Sequence, residues 1–207
     1  MLVPGRIIEI GVNGRSLHLE RGFLAVRDEG VTIGRVPIDD VDAVLASAQG
    51  ITWSNRALSA LAERGAPVVI LGGDFSPSAA LLPVRGHHDQ GRRMRAQADA
   101  SKPLRKRLWA DLVKAKILAQ AAALDCIGQP TERLLRLRAE VRSGDVSNRE
   151  ALAAQAYWPA LMGANFRRDR AGDAANALLN YGYAVLRAAT ARAIVAAGLH
   201  PSLSLHH

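Results

Sequence analysis

The chain has 207 residues and a formal net charge of +8, with 49% hydrophobic and 22% charged residues, so it can bury a core and is not a disordered tail. Its one cysteine, Cys126, excludes a disulfide scaffold and a zinc site with several cysteines, and favours a reduced, cytoplasmic setting. No run approaches the roughly 18–20 apolar residues of a membrane span, so we expect no membrane partner. Few aromatic rings are available for stacking on bases, so we expect any nucleic acid to be held mainly through phosphates.

Charge and composition both change near Gly91. Residues 1–91 contain 8 Lys+Arg and 10 Asp+Glu, a net charge of −2, whereas residues 92–207 contain 19 and 9, a net charge of +10. Val+Ile falls from 17 to 8 and Ala rises from 10 to 27 across the same point. Because branched side chains suit strands and alanine suits helices, we predict a β-rich domain over residues 1–86 and a basic helical domain over 92–207.

Short apolar runs separated by turn residues organise the N-terminal part. They predict strands at Arg6–Ile10, Ser16–Glu20, Phe23–Arg27, Val31–Pro37, Val41–Leu45, Val68–Leu71 and Ala79–Val84. A helix is predicted at 55–64, with Ser54 as its N-cap.

Two short motifs in this part have competing interpretations. Gly72-Gly73-Asp74 follows a strand as a phosphate loop would, but no helix pattern comes after it, which favours a tight turn. His87-His88-Asp89 offers metal-ligand side chains, but adjacent residues seldom point at one ion, which favours an exposed linker.

The basic part is predicted to be helical. One pattern runs from Arg92 to about Ile127, and Pro103 fits the first turn of a new helix capped by Ser101. Its predicted buried stripe is Leu104, Leu108, Leu112, Ala115 and Ala119. Further helices are predicted at 131–142, from Ser147 to about 161 and from 174 to 197, the last with a core stripe of Ala174, Leu178, Tyr181, Val185, Ala188, Arg192 and Val195.

The basic side chains are either a solvated face or a phosphate-binding surface. Their number, their concentration and the scarcity of acids between them favour phosphate binding. The candidates are Arg92, Arg93, Arg95, Lys102, Arg105, Lys106, Arg107, Lys114, Arg167, Arg168 and Arg170, with Lys116 in the same cluster.

Glu150 and the C-terminal histidines are the candidates for chemistry. Ser147 and Glu150 have the spacing of a capping box, and from spacing alone this interpretation of Glu150 is favoured over a carboxylate that meets a substrate above small residues. His200, His206 and His207 fall within eight residues. Imidazole and carboxylate together suit an ion such as Mn²⁺, although a terminal His-His is also typical of an expression tag.

Three stretches, in this order, carry a family resemblance. They are VPIDDVDAVLASAQGITWSNRALSALAERGAPVVILGGDFSPSAALLPVRGHH, NREALAAQAYW and NALLNYGYAVLRAATARAIVAAGLHPSL. Together they resemble the CRISPR-associated integrase-endonuclease that captures new spacers, in the version encoded beside a single-protein RNA-guided nuclease, and the resemblance covers essentially the whole chain.

The resemblance implies an α+β fold, with a small N-terminal β-sandwich-like domain followed by an all-α catalytic domain. It implies metal-dependent DNA cleavage and strand transfer with Mg²⁺ or Mn²⁺, and metal ligands that are a Glu, a His and an acidic residue. The Glu falls on Glu150, and the His falls on His207, or on His206 if the register differs by one. The implied partners are DNA (a prespacer duplex and the CRISPR repeat-leader), a second copy of the chain and the small companion adaptation protein.

Two departures from the family pattern bear on the site. Ser204 stands where the family usually has Gly. The family continues beyond the His, and its acidic ligand lies about a dozen residues further on, so we expect a chain truncated at its C-terminus in which the third ligand is absent. The alternative function is then a catalytically incomplete fragment that binds DNA and dimerises.

Overall fold

The computed structural model describes residues 5–73, 77–83, 87–169, 172 and 174–205. Tertiary packing divides the chain into two compact units, residues 1–95 with 170–201 and residues 96–169 with 202–207. The architecture is the predicted α+β arrangement, because the strands precede residue 90 and most helices follow it. The predicted division into a domain of residues 1–86 and a domain of residues 92–207 stays a prediction.

Within the described residues the strands are β1 (Arg6–Ile10), β2 (Arg15–Glu20), β3 (Phe23–Asp28), β4 (Val31–Pro37), β5 (Val41–Ala46), β6 (Thr52–Trp53), β7 (Val68–Leu71) and β8 (Pro77–Leu81). The helices are α1 (Asn55–Glu63), α2 (Gln90–Ala98), α3 (Lys102–Asp125), α4 (Glu132–Ala139), α5 (Arg149–Met162) and α6 (Ala174–Ala196). The strand pattern is confirmed with two exceptions. Strand β8 begins two residues before the predicted 79–84 and ends at Leu81, and β6 was not predicted because its two residues are too few for periodicity to show.

The strands form two four-stranded sheets. In the first sheet, with order β1-β5-β7-β8, the strands β1, β5 and β7 are parallel and β8 is antiparallel to β7. In the second sheet, with order β4-β3-β2-β6, the strands β2, β3 and β4 are antiparallel and β6 is parallel to β2. Of the predicted Gly72-Gly73-Asp74 turn, Asp74 lies outside the described residues, as does the end of the predicted strand 79–84.

Both sheets and α1 enclose one apolar core, which accounts for the sandwich-like arrangement. Ser54 is the N-cap of α1 as predicted, and its hydroxyl accepts a hydrogen bond from the backbone N–H of Ala57 at 3.2 Å. The core residues are Ile10, Leu17, Leu24, Val41, Val44, Ala57, Leu61, Ala66 and Val68. Their removal from water is the main stabilising contribution to this part of the fold.

Helix α6 packs in the same compact unit against β5 and β7. Its buried Ala184 and Ala188 share a core with Ala43, Leu45, Val69 and Leu71. Arg192 forms an ion pair with Asp42 of β5. Burial and a hydrogen bond with Glu9 raise the pKa of Tyr181. The predicted stripe of α6 is therefore largely correct, but Leu178 is 73% exposed and does not belong to it.

The second unit is built around α3. Ser101 is the N-cap of α3 as predicted, and its hydroxyl accepts from the backbone N–H of Leu104 at 3.4 Å. The core of this unit consists of Ala110, Val113, Ile117, Ala121, Leu124, Leu134, Val141 and Ala153. None of the described helices combines the length and the apolar character of a membrane span.

The predicted buried stripe of α3 is wrong. Leu108 and Leu112 are 39% and 53% exposed, while Val113 and Ile117 are buried. Helix α3 has apolar residues on two sides, and the leucine side is the longer pattern in sequence. The side made of Ala, Val and Ile allows α4 and α5 to approach closely, and that side is the one buried.

Candidate functional site

Glu150 is the second residue of α5, and its helix is not capped as the sequence predicts. The predicted N-cap, Ser147, lies outside the helix, whose N-cap position is Asn148. Asp145 takes over the capping role, since its Oδ1 accepts from the backbone N–H of Arg149 at 2.9 Å and its Oδ2 from that of Glu150 at 3.0 Å. The predicted capping box of Ser147 and Glu150 is therefore wrong. Asp145, three residues before the N-cap position, satisfies the first-turn N–H groups instead.

The turn before α5 adopts an uncommon backbone conformation. Gly144, Asp145 and Asn148 have φ values of +75°, +46° and +49°. Such values are rare for residues other than glycine, although Asn and Asp tolerate them best. A Cβ on Gly144 would stand 3.2 Å from the side chain of Lys106, so glycine also permits the close approach of this turn to α3.

The side chain of Glu150 points to α3. Its Oε1 accepts a hydrogen bond from Lys116 Nζ at 2.5 Å, and the two side chains are 28% and 47% exposed. The carboxylate is thus partly open to solvent and already attracts a cation. With the capping role filled by Asp145, the Glu150 carboxylate does not cap its own helix and pairs with Lys116 instead.

The predicted histidine ligand, His207, and its alternative, His206, lie outside the described residues. His200 is described and follows the end of α6 at half-buried exposure. The pairing of Glu150 with His207 therefore stays a prediction.

His87, His88 and Asp89 form the one group of three candidate metal ligands found among the described residues, with ligand atoms within 4.8 Å of one another. The expectation that these adjacent side chains do not point at one place is therefore wrong, although whether they bind a metal stays open. Two of their atoms already accept hydrogen bonds, His87 Nδ1 from the Asp89 N–H at 3.1 Å and Asp89 Oδ2 from Arg92 at 2.7 Å. Burial, with Arg93 nearby, lowers the pKa of His87, and the Arg92 hydrogen bond lowers the pKa of Asp89.

Basic residues occupy two different sides of α3. Arg105 and Lys116 are eleven residues apart, about three turns, so they share one side, which is the side that contacts Glu150. Arg107 and Lys114 are seven residues apart, about two turns, and share the other side. Lys102 lies near the first side, and Lys106 packs beside Gly144.

The remaining basic candidates have individual surroundings. Arg92 is paired with Asp89, Arg93 donates to the Ala197 carbonyl at 2.7 Å, and Arg95 is exposed in α2. Arg168 donates to the Asp169 carbonyl at 2.9 Å. Arg170 lies outside the described residues.

A cavity of about 700 Å³ opens beside the second half of α5. Its lining includes Ala154, Trp158, Phe166, Arg167 and Arg168. The rings of Trp158 and Phe166 are 5.8 Å apart. The α5 residues that line the cavity include Ala154 and Trp158, four and eight residues after Glu150, so the cavity opens roughly 6–12 Å further along the helix than Glu150.

Two residues of this site, Asp145 and Lys116, were not singled out for it by sequence reasoning. Asp145 follows Gly144 shortly before a helix, a pattern that could have indicated a capping turn. Lys116 was predicted only as one of many basic residues. Its contact with Glu150 joins residues 34 apart, which no local sequence pattern indicates.

The fold and site together define a two-unit α+β protein in which a partly exposed carboxylate on α5 pairs with a lysine of the basic helix α3. The family profile described as "CRISPR associated protein Cas1" matches residues 10–207. The chain therefore belongs to the Cas1 family, in agreement with the resemblance carried by its motifs.

Two proteins named as Cas1 endonucleases are similar in sequence to most of this chain. It is 41% identical over 197 residues to a "CRISPR-associated endonuclease Cas1" of Neisseria meningitidis serogroup C, a match that covers 94% of this chain. It is 32% identical over 213 residues to "CRISPR-associated endonuclease Cas1 1" of Pyrobaculum aerophilum, covering 94% of this chain and 70% of that protein. The chain spans 64% of the length of the Neisseria relative.

Solved structures share the fold. A Cas1 protein from Thermotoga maritima, TM1797, superposes with a TM-score of 0.77 at 15% identity, covering 98% of this chain and 69% of that chain. The structure described as "Casposase bound to integration product" superposes with a TM-score of 0.75 at 20% identity, covering 94% and 62%. The "Cas6-RT-Cas1--Cas2 complex" superposes with a TM-score of 0.72 at 18% identity, covering 99% and 25%. At these identities the likeness concerns the fold.

Proposed function

We propose that this protein is a metal-dependent DNA endonuclease and integrase that inserts new spacers into a CRISPR array by phosphodiester strand transfer. The observation that carries the proposal is Glu150, a partly exposed carboxylate in the first turn of α5 that is paired with a cation. Membership of a family whose relatives are named endonucleases supports the same activity.

Glu150 fits the role of a ligand for Mg²⁺ or Mn²⁺. Carboxylate oxygens are the donors that these ions prefer, and the ion pair with Lys116 supports an ionised carboxylate at this position. We assign His207, or His206, as the second ligand, and we assign the third, acidic ligand of the family pattern to no residue of this chain. When bound, the ion polarises the scissile phosphate and stabilises charge on its oxygens.

The chain's own residues bind and orient the DNA. In the proposed reaction the 3′-hydroxyl of a short duplex attacks a target phosphodiester, one target strand is joined to it, and the leaving 3′-oxygen departs. Arg105 and Lys116, on the side of α3 that contacts Glu150, would hold phosphates next to the reacting bond. Arg167 and Arg168 beside the Trp158 cavity would hold the strand further along α5.

We also propose the family's partners for this chain. These are the prespacer duplex and the repeat-leader DNA, a second copy of the chain, and the small companion adaptation protein. Fold-level neighbours described as complexes of Cas1 with Cas2 support that last partner. The proposed site of action is the cytoplasm, where the array DNA is found.

The test is strand transfer into repeat DNA with Mn²⁺, measured for the wild type, Glu150→Gln and Glu132→Gln. Glu132 is a matched control because it is also acidic and in the first turn of a helix in the same unit. We expect Glu150→Gln to lose at least a hundredfold in rate while it still binds DNA, and Glu132→Gln to retain the wild-type rate. Equal rates for Glu150→Gln and the wild type would overturn the proposal.

A further inference from the structure

Asp145 is a buried carboxylate in an otherwise exposed turn. It is 7% exposed, whereas the next residue, Val146, is 74% exposed. A buried charge is stable only when hydrogen bonds or opposite charges compensate it. The polar groups that face it are therefore the reason for its position.

Those groups are the backbone N–H groups of Arg149 and Glu150, each bonded to a different oxygen of Asp145. First-turn N–H groups have no partner within their own helix, and the positive end of the helix dipole attracts a carboxylate. Both oxygens of Asp145 are thus directed at α5, and one of them holds the amide of the residue that we assign as a metal ligand.

An ordinary N-cap needs only one side-chain hydrogen bond to the first turn, whereas Asp145 makes two. A single oxygen from the N-cap position suffices for most helices, and Asn148 occupies that position without making a side-chain cap bond. Instead the chain places Asp145 further back, through left-handed backbone at both Asp145 and Asn148, a conformation that side chains other than Gly rarely adopt. The arrangement holds two successive amides rather than one.

The backbone of Glu150 is consequently fixed. Its N–H is bonded to Asp145, whereas its side-chain Oε1 pairs with Lys116 of α3, a cation that a bound metal ion would displace. The turn itself lies against α3, with Gly144 beside the side chain of Lys106. A metal ligand functions only when its supporting contacts hold it within about 0.5 Å of the required position.

We infer that Asp145 is a positioning residue for Glu150: its two hydrogen bonds set the start of α5 so that the Glu150 carboxylate is preorganised for a divalent cation. The inference rests on the proposed function, because it concerns the metal assigned there. Asp145 is assigned a role through the backbone, since each of its oxygens accepts a hydrogen bond from an amide of α5.

The experiment compares Mn²⁺ affinity, by calorimetry, and melting temperature among the wild type, Asp145→Asn, Ser101→Ala and Glu150→Gln. Asn tolerates the left-handed backbone at this position but offers a single acceptor oxygen. Ser101→Ala removes a cap in the same unit that does not contact Glu150. We expect Asp145→Asn to weaken Mn²⁺ binding roughly ten- to hundredfold, as loss of a supporting contact does at metal sites. We expect Ser101→Ala to lower the melting temperature by a few degrees with Mn²⁺ affinity within twofold of the wild type.

The outcomes separate the two claims. If Glu150→Gln abolishes Mn²⁺ binding while folded Asp145→Asn binds within twofold of the wild type, the role of Asp145 is overturned and the proposed function stands. If Glu150→Gln binds as the wild type does, the metal assignment itself fails. Should Asp145→Asn not fold, hydrogen exchange of the wild-type Arg149 and Glu150 amides decides: strong protection supports the two bonds, and exchange at the rate of unprotected amides overturns them.

Discussion

Lys116 on α3 and Glu150 on α5 meet at 2.5 Å between Nζ and Oε1, although 34 residues separate them in the chain. The pair is partly exposed, so its contribution to stability is small, about 0–1 kcal/mol. Its importance is its position, because the Lys116 ammonium occupies the Glu150 oxygen that we assign to the metal ion.

Replacement of Lys116 by Met is predicted to tighten Mn²⁺ binding about three- to tenfold. An ammonium near the carboxylate competes with the ion, and two like unit charges about 4 Å apart repel each other by about 1 kcal/mol even in bulk water. Lys114→Met, two residues away on the other side of α3, is the control and should leave the affinity unchanged. Weaker Mn²⁺ binding in Lys116→Met would contradict this role of Lys116.

Arg105→Ala is predicted to weaken DNA binding more than Arg107→Ala. Arg105 shares a side of α3 with Lys116, whereas Arg107 lies on the opposite side with Lys114. The logarithm of the DNA affinity falls with the logarithm of the salt concentration, and each lost phosphate contact decreases the steepness of that fall by about 0.9. Salt titrations of duplex binding should show that decrease for Arg105→Ala alone, and equal slopes for the two variants would argue against a DNA path on the Glu150 side.

Ala188→Leu is predicted to destabilise the protein by about 1–3 kcal/mol in denaturant unfolding. Ala188 is buried where α6 packs on β5 and β7, and extra methylenes in a packed core are unfavourable. Ala189→Leu adds the same atoms to an exposed position of the helix and should change stability by less than about 0.5 kcal/mol. Equal stabilities for the two variants would mean that α6 does not pack on this sheet.

His87 is predicted to titrate below its ordinary pKa of 6.5, because burial and Arg93 disfavour its protonated form, with smaller contributions from His88 and Arg92 and an opposing one from Asp89. A lowered folded-state pKa means that the unfolded chain binds more protons between the two values. Stability therefore falls as the pH drops through 6.5, and His87→Asn should flatten this dependence. Two-dimensional NMR titration measures the pKa, and a value at or above 6.5 would refute the prediction.

Much of the fold could be predicted from the sequence because its signals are local. Alternating apolar runs gave the strands, and Ser54 and Ser101 capped the helices expected of them. The buried side of α3 could not be predicted, since two apolar stripes compete and only the tertiary partners select between them. Leu108 and Leu112 stay exposed while Val113 and Ile117 are buried.

The candidate site was predictable in part. The family resemblance selected Glu150, but local spacing assigned it to a capping box, because Ser147 and Glu150 have the right separation. The structure gives the capping role to Asp145, a choice that depends on left-handed backbone and on packing against α3. Neither condition has a sequence signal strong enough to override a capping motif.

Anomalous diffraction from crystals of the protein soaked in Mn²⁺ tests the central claim most directly. We expect a manganese peak within about 2.5 Å of a Glu150 carboxylate oxygen, with the Lys116 ammonium displaced from that oxygen. A peak at His87-His88-Asp89 with none at Glu150 would show that Glu150 is not a metal ligand and that the metal binds at that cluster.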